Sequence, residues 1–180
     1  MDDGEIPLTV AEYAGRPCRE QNQGPVTEEE AVFLYGLAIA LRPRCIAEVG
    51  TGWLRSLRSF YEARVYLKAL GWDCSVWSCD INAGVVDKAK ATFPGCNVVL
   101  GNSETMAPLI TVAPELVFID GEHTTAAVER DLSELRKVSL PETVYVLHDP
   151  GIIRDIQGIA DKRGFLTLPS PRGIAIGRLL

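Results

Sequence analysis

A chain of 180 residues is long enough for one domain with a sizeable core, and its composition, 47% hydrophobic and 23% charged, is that of an ordinary globular protein. Its net charge of −6 argues against a general nucleic-acid binder. The longest apolar run, Ala31 to Leu41, is too short to span a bilayer, and the acidic start Met1-Asp2-Asp3-Gly4-Glu5 lacks a signal-peptide pattern. A cytoplasmic protein with neither membrane nor nucleic-acid partners is therefore expected. The five cysteines, at positions 18, 45, 74, 79 and 96, contain no C-x-x-C pair. With only two histidines, this speaks against structural zinc and fits a reducing compartment.

In chain order, residues 1–26 read as irregular, punctuated by Gly4, Pro7, Gly15, Pro17, Gly24 and Pro25. They are compatible with a tail, a cover over a site or a homo-oligomer contact. Thr27-Glu28-Glu29-Glu30 is a capping box, opening a largely apolar helix to about Leu41 that Pro43 closes. Strand and helix signals then alternate. Cys45–Val49 reads as a strand and Leu54–Leu70 as a helix ending at Gly71. Ser75–Cys79 is the next strand, followed by a helix over Ala83–Thr92 that Pro94-Gly95 stops. Asn97–Leu100 is a strand, with a weak helix near Glu104–Thr111. Leu116–Ile119 is a strand, Thr124–Val138 a helix and Thr143–Leu147 a strand. A short helix runs from about Ile152 to Asp161, and Phe165–Leu168 faces Ile174–Arg178 as a terminal antiparallel pair. Such alternation with apolar strands implies an α/β domain over residues 27–180. Its sheet is mostly parallel, covered by helices on both faces, and the hairpin supplies an antiparallel last strand.

The run Ile46-Ala47-Glu48-Val49-Gly50-Thr51-Gly52 carries the chemistry. Two glycines let the backbone turn tightly and approach a ligand closely. Asp80, closing the next strand with Ile81 beside it, suits a ribose diol, because one carboxylate accepts hydrogen bonds from two hydroxyls. The dinucleotide fingerprint needs a third glycine where Arg55 stands, and Glu48 disfavours a phosphate while favouring a cation. A ligand with a ribose, no phosphate and a positive charge fits best, and S-adenosylmethionine is such a ligand. Two other readings remain open here: an NAD(P)-binding oxidoreductase, and a non-catalytic nucleotide-binding or partner-binding domain.

With Gly101-Asn102-Ser103, Phe118-Ile119-Asp120-Gly121-Glu122-His123 and His148-Asp149 added at later strand ends, the chain resembles the class I S-adenosylmethionine-dependent methyltransferases over roughly residues 27–180. The D-G-x-H segment at Asp120–His123 resembles a branch of small-molecule O-methyltransferases, several of which bind a divalent cation. The resemblance implies a Rossmann-like seven-stranded sheet. It also implies that Gly50, Thr51 and Gly52 wrap the methionine part of the cofactor, that Asp80 holds the ribose, and that Asn102 and Ser103 flank the adenine. Trp53 stands where relatives often have a small residue. His148 stands where metal-binding relatives often carry an acid.

Methyl transfer needs an aligned nucleophile and a base near working pH, for which histidine is the common choice. Both histidines are expected just past strand ends, where Asp120, His123, His148 and Asp149 converge. His123 is assigned as general base, with Asp120 and Asp149 orienting it or the acceptor. Should a cation such as Mg²⁺ bind, Asp120 and Asp149 are its expected ligands, with His148 as a third. The basic residues of the C-terminal stretch, among them Arg154, Arg172 and Arg178, read most simply as a solvated surface. The acceptor is expected to be a small molecule.

Overall fold

A computed structural model describes Thr9 and residues 26–179. The irregular segment expected over residues 1–26, Cys18 included, thus falls outside the described residues apart from Thr9 and Val26. The elements are α1 (Glu28–Leu41), β1 (Cys45–Val49), α2 (Arg55–Ala69), β2 (Ser75–Asp80), α3 (Ala83–Thr92), β3 (Asn97–Leu100) and α4 (Ser103–Met106) with a 3₁₀ turn at Ala107–Leu109. They continue as β4 (Leu116–Ile119), α5 (Thr125–Arg136), β5 (Val144–His148), α6 (Arg154–Lys162), β6 (Leu166–Leu168) and β7 (Ile174–Gly177).

The seven strands form one sheet in the order β3-β2-β1-β4-β5-β7-β6. β1 pairs in parallel with β2 and β4, and β3 and β5 extend the parallel run outwards. β7 inserts antiparallel between β5 and β6, so the expected terminal hairpin forms the far edge. The chain order reverses at β1, which places a crevice beyond the carboxyl ends of β1 and its neighbours.

Strand parity decides what lies on each side. Ile46, Phe118 and Val146 pack with Leu34, Tyr35, Leu57 and Phe60 beneath α1 and α2. Ala47, Val49, Val117, Ile119, Tyr145 and Leu147 pack with Leu132 and Ile159 beneath α5 and α6. Every residue of β1 and β4 is buried, as expected of central parallel strands covered on both faces. The same parity puts Glu48, Asp120 and His148 on the α1–α2 side, in line with Ile46, Phe118 and Val146.

Two boundaries differ from the sequence reading in ways that matter. The helix near Glu104–Thr111 shrinks to α4 and a 3₁₀ turn, because Pro108 enters its second turn. β5 extends through His148, which pairs with Ile174 of β7. His148 is thus the last strand residue rather than a loop residue, and it is fully buried.

Phe118 lies at the centre of this packing, edge-on to Phe60 with ring centroids 5.9 Å apart. Phe118→Ala is expected to cost about 3–5 kcal/mol. Urea unfolding followed by circular dichroism should show this as a lowered midpoint with an unchanged slope.

Candidate functional site

The glycine loop rises from β1. The N–H groups of Gly50 and Thr51 both donate to the Cys79 carbonyl, at 3.0 and 3.2 Å. Gly50 has φ +91°, and a Cβ there would lie 2.2 Å from the Asp120 carbonyl oxygen. Only glycine allows β1 and β4 to release their loops this close together. Gly52 donates to Asp80 Oδ2 at 2.8 Å, and Asn82, the N-cap of α3, donates its N–H to Oδ1 at 2.8 Å. The Asp80 carboxylate is thereby fixed in orientation, and each oxygen keeps lone-pair capacity for a further donor.

Glu48 sits beneath this loop with no exposed surface. Its Oε2 accepts from Ser78 Oγ at 2.5 Å, and Ser78 is joined in turn to Thr51 Oγ1 at 2.6 Å. Its Oε1 is buried without a hydrogen-bond partner among the described residues. Burial pushes the Glu48 carboxyl up to about 8, outweighing the nearby Ser56 and Ser78 hydroxyls, with the Asp120 and Asp80 charges adding to the rise. Glu48 is therefore largely protonated at neutral pH unless a cation or donor reaches it. Large apolar surface is left open at the same strand ends: Trp53 is 66% exposed and Ile81 83%. No side chain caps the first turn of α2 among the described residues. These features fit an adenosine-bearing sulfonium: a carboxylate poised for a diol, an orphaned buried carboxyl oxygen, and flat apolar surface.

The third strand end is turned inward. Asn102 caps α4, its Oδ1 accepting from Thr105 N–H and its Nδ2 reaching Glu104. Ser103 is fully buried and donates to Asp131 Oδ1 at 2.6 Å. The Asn102 and Ser103 side chains, expected beside an adenine, are thus held by internal partners, as is the Thr51 hydroxyl.

The second half of the site lies at the ends of β4 and β5. His148 Nδ1 is 2.9 Å from Asp120 Oδ1, and its Nε2 is 3.0 Å from Glu30 Oε2. Glu30 and Asp120 are both held below their ordinary values, and as ionised acceptors they favour a proton on each ring nitrogen, making His148 an imidazolium. Burial alone would lower its pKa, but Asp120 and Glu30 raise it to about 9. Burial would likewise raise Glu30, yet His148, with help from Thr27 N–H and Ser170 Oγ, brings it down to about 2. Asp120, though buried, is held below its ordinary value by His123 and His148.

His123 reaches the same cluster from the loop before α5. Its Nε2 is 3.4 Å from Asp120 Oδ1 and 3.2 Å from Asp149 Oδ2, and its side chain is 36% exposed. With Nε2 hydrogen-bonded to Asp120 and close to Asp149, Nδ1 is left as the basic nitrogen. The hydrogen bond to Asp120 raises the His123 pKa above the ordinary 6.5, outweighing partial burial. Asp149 is a non-glycine residue at φ +71° with no exposed surface. Such strain costs on the order of 1–3 kcal/mol and persists only where surrounding contacts enforce it.

Two members of the cluster were not foreseen from sequence. Glu30 does close the expected capping box, Thr27 N–H donating to its Oε2 at 2.8 Å. It also reaches His148 and, through Oε1, the Ser170 hydroxyl and Arg172 N–H. Arg172 clamps Asp149 through Nε–Oδ1 at 2.6 Å and Nη2–Oδ2 at 2.9 Å. The turn residues Pro169–Gly173 signalled a hairpin, but nothing in one sequence shows that it folds over β5.

Among the described residues, Asp120, His123 and Asp149 form a group whose ligand atoms all lie within 4.8 Å of one another. The set read from sequence had His148 in place of His123. His148 cannot serve while both its nitrogens face carboxylates. A divalent cation placed here would share its carboxylates with two cations already present. Both Asp149 oxygens already accept from the Arg172 guanidinium, and Asp120 already accepts from the His148 imidazolium.

The comparisons bear on this geometry directly. A family described as a methyltransferase domain matches residues 51–150, more than half of the chain. The chain belongs to this family. The matched span runs from the glycine loop to the residue after Asp149, and it contains neither Glu30 nor Arg172. No curated protein matches the chain in sequence. Among solved structures, it is similar to the SAH-bound methyltransferase PaMTH1 of Podospora anserina, with TM-score 0.68 and 12% identity over 97% of this chain and 89% of the other. It is also similar to the O-methyltransferase from Bacillus cereus in complex with SAH, with TM-score 0.66 and 15% identity over 91% and 84% of the two chains. The O-methyltransferase TomG from Streptomyces achromogenes, involved in tomaymycin synthesis and solved with SAM, gives TM-score 0.61 and 15% identity over 86% and 81%. At these identities the neighbours speak to the fold, which is the Rossmann-like seven-stranded methyltransferase fold expected from sequence. Together with the family match, they bear out the resemblance to class I S-adenosylmethionine-dependent methyltransferases. No helix among the described residues is long and apolar enough to cross a membrane.

The pKa shifts set a pH dependence. His148 is raised in the fold, so its contribution is complete below its unfolded value of 6.5 and is lost as pH rises through about 9. Glu30 is lowered, so its contribution is present above 4.5 and is lost as pH falls toward 2. The difference in Tm between the parent protein and His148→Gln should therefore be largest between about pH 4.5 and 6.5. Calorimetric scans across pH should show it shrinking as pH climbs to 9.

Proposed function

We propose that this methyltransferase moves the methyl group of S-adenosylmethionine onto a hydroxyl oxygen of a small-molecule acceptor, with His123 as general base. The observation that carries this reading is the placement of His123. It is part-exposed at the mouth of the β4–β5 ends, with Nε2 held by two carboxylates and Nδ1 free to accept a proton. Gly50 packs against the backbone of Asp120, the residue His123 faces, which supports this reading.

When bound, the cofactor supplies a methyl group already activated by the sulfonium charge. Asp80 would hold the ribose, with Gly52 N–H and Asn82 N–H keeping its carboxylate turned toward the diol. Gly50, Thr51 and Gly52 would line the methionine part, and Ile81 and Trp53 would give apolar cover. Glu48 would act from below the loop, its unpartnered Oε1 available to a cationic group. Asn102 and Ser103 would contribute backbone, since their side chains are held internally.

In the transfer, the acceptor hydroxyl gives its proton to His123 Nδ1 and its oxygen bonds the methyl carbon. The electron pair of the broken carbon–sulfur bond stays on sulfur. Asp120 and Asp149 stabilise the imidazolium that forms, much as a buried aspartate supports histidine in other acid–base sites. In-line alignment supplies the larger share of the acceleration, and proton removal roughly 10²–10⁴-fold.

His123→Ala is expected to lower kcat by about 10²–10⁴-fold while leaving the affinity for S-adenosylhomocysteine unchanged. Turnover would be followed as S-adenosylhomocysteine release with a panel of phenolic and sugar hydroxyl acceptors. Asp120→Asn should move the rising limb of the pH–rate profile to lower pH, because the partner that raises the His123 pKa is gone. Full turnover in both variants would refute the assignment.

A further inference from the structure

Arg172 is placed with unusual care for a residue in a hairpin loop. Its guanidinium meets Asp149 as a two-pronged fork, and its main-chain N–H donates to Glu30 Oε1 at 3.1 Å. The loop is locked from below. Gly151 N–H donates to the Arg172 carbonyl at 2.9 Å, and a Cβ on Gly173 would come within 2.3 Å of Gly151 N. Asp149 N–H donates to the Gly173 carbonyl at 3.2 Å, which ties the strained Asp149 backbone to the same loop.

Building on the methyl-transfer reading, we infer that Arg172 is a positioning residue that takes the place of a divalent cation at Asp120, His123 and Asp149, so that transfer in this chain proceeds without a metal ion. Three donors of the kind that hold Mg²⁺ or Mn²⁺ do converge there. Each oxygen of Asp149, however, already accepts from one nitrogen of a planar guanidinium, a geometry matched to carboxylates. Asp149 Oδ1 also lies 3.1 Å from His148 Nδ1. An ion on Asp149 would share that carboxylate with the Arg172 guanidinium, setting two positive centres against each other.

Charge accounting points the same way. Glu30, Asp120 and Asp149 contribute three negative charges, and Arg172 and His148 two positive ones. The remainder is a single negative charge, shared around His123 Nε2. A divalent ion would turn that single negative charge into a net positive one beside the Arg172 guanidinium. Glu30 and Arg172 both lie outside the span that the family match covers, while Asp120, His148 and Asp149 lie within it.

Electron paramagnetic resonance of Mn²⁺ with the full-length protein tests this, alongside turnover with and without EDTA and calorimetry with S-adenosylhomocysteine. The parent protein is expected to leave the free Mn²⁺ signal unchanged at micromolar metal and to turn over equally in EDTA. Arg172→Gln frees Asp149 and should bind Mn²⁺ at least tenfold more tightly than the parent, with kcat reduced and KM for the cofactor unchanged. Arg172→Lys keeps a cation at the site, and should restore part of kcat and again exclude Mn²⁺. Should Arg172→Gln fail to fold, the parent and Arg172→Lys data decide alone. Stoichiometric Mn²⁺ binding by the parent, or loss of turnover in EDTA, would overturn the inference while S-adenosylhomocysteine binding left the methyl-transfer reading standing. Absence of S-adenosylhomocysteine binding would overturn that reading itself.

Discussion

The imidazolium of His148, held between Glu30 and Asp120, is the constraint on which the rest of the site depends. It is buried completely and joins three parts of the chain that are far apart in sequence: α1, the end of β4 and the end of β5. A lone buried charge would be costly, but here both N–H groups meet carboxylates, so the desolvation of each partner is offset by the others. Glu30 carries the link onward to Ser170 and Arg172, and Arg172 carries it to Asp149. The outcome is a closed ring of charges beneath His123, with the fold's first helix and last hairpin as its supports.

The other half of the crevice is built on backbone rather than charge. Gly50 lets the β1 loop pass against the Asp120 carbonyl, and that contact brings the glycine loop and the acid–histidine cluster into one space. Asp80 is set by two main-chain donors, so its carboxylate is oriented before any ligand arrives. Such preorganisation lowers the ordering cost of binding. Glu48 differs in kind. Burial favours its protonated form, so its charge becomes available only when a cationic ligand or donor occupies the space above it.

Much of this was legible in the sequence, for physical reasons. The apolar runs of β1, β2, β3 and β4 have buried faces, bounded by glycine, proline or acid, and their boundaries fall within a residue of the expected ones. The capping box at Thr27 fixed the start of α1, and the Asp120–His123 spacing placed both side chains at one strand end. The limits lie in tertiary contacts. His148 has the parity of Val144 and Val146, which points it into the helix-covered face, but its short apolar run read as ending one residue earlier. Glu30 satisfied a local rule completely, so nothing in its neighbourhood signalled a second partner 118 residues away. Arg172 sat among other basic residues, and only the folded hairpin brings its guanidinium onto Asp149.

The most direct test of this account is the protonation of the two histidine rings, followed by ¹⁵N-resolved NMR across pH. The account requires His148 to show two protonated nitrogens through neutral pH and to titrate near 9, while His123 titrates separately, above 6.5, with Nδ1 as the nitrogen that loses its proton. A neutral His148 at pH 7, or the two rings titrating together at the ordinary value, would contradict it.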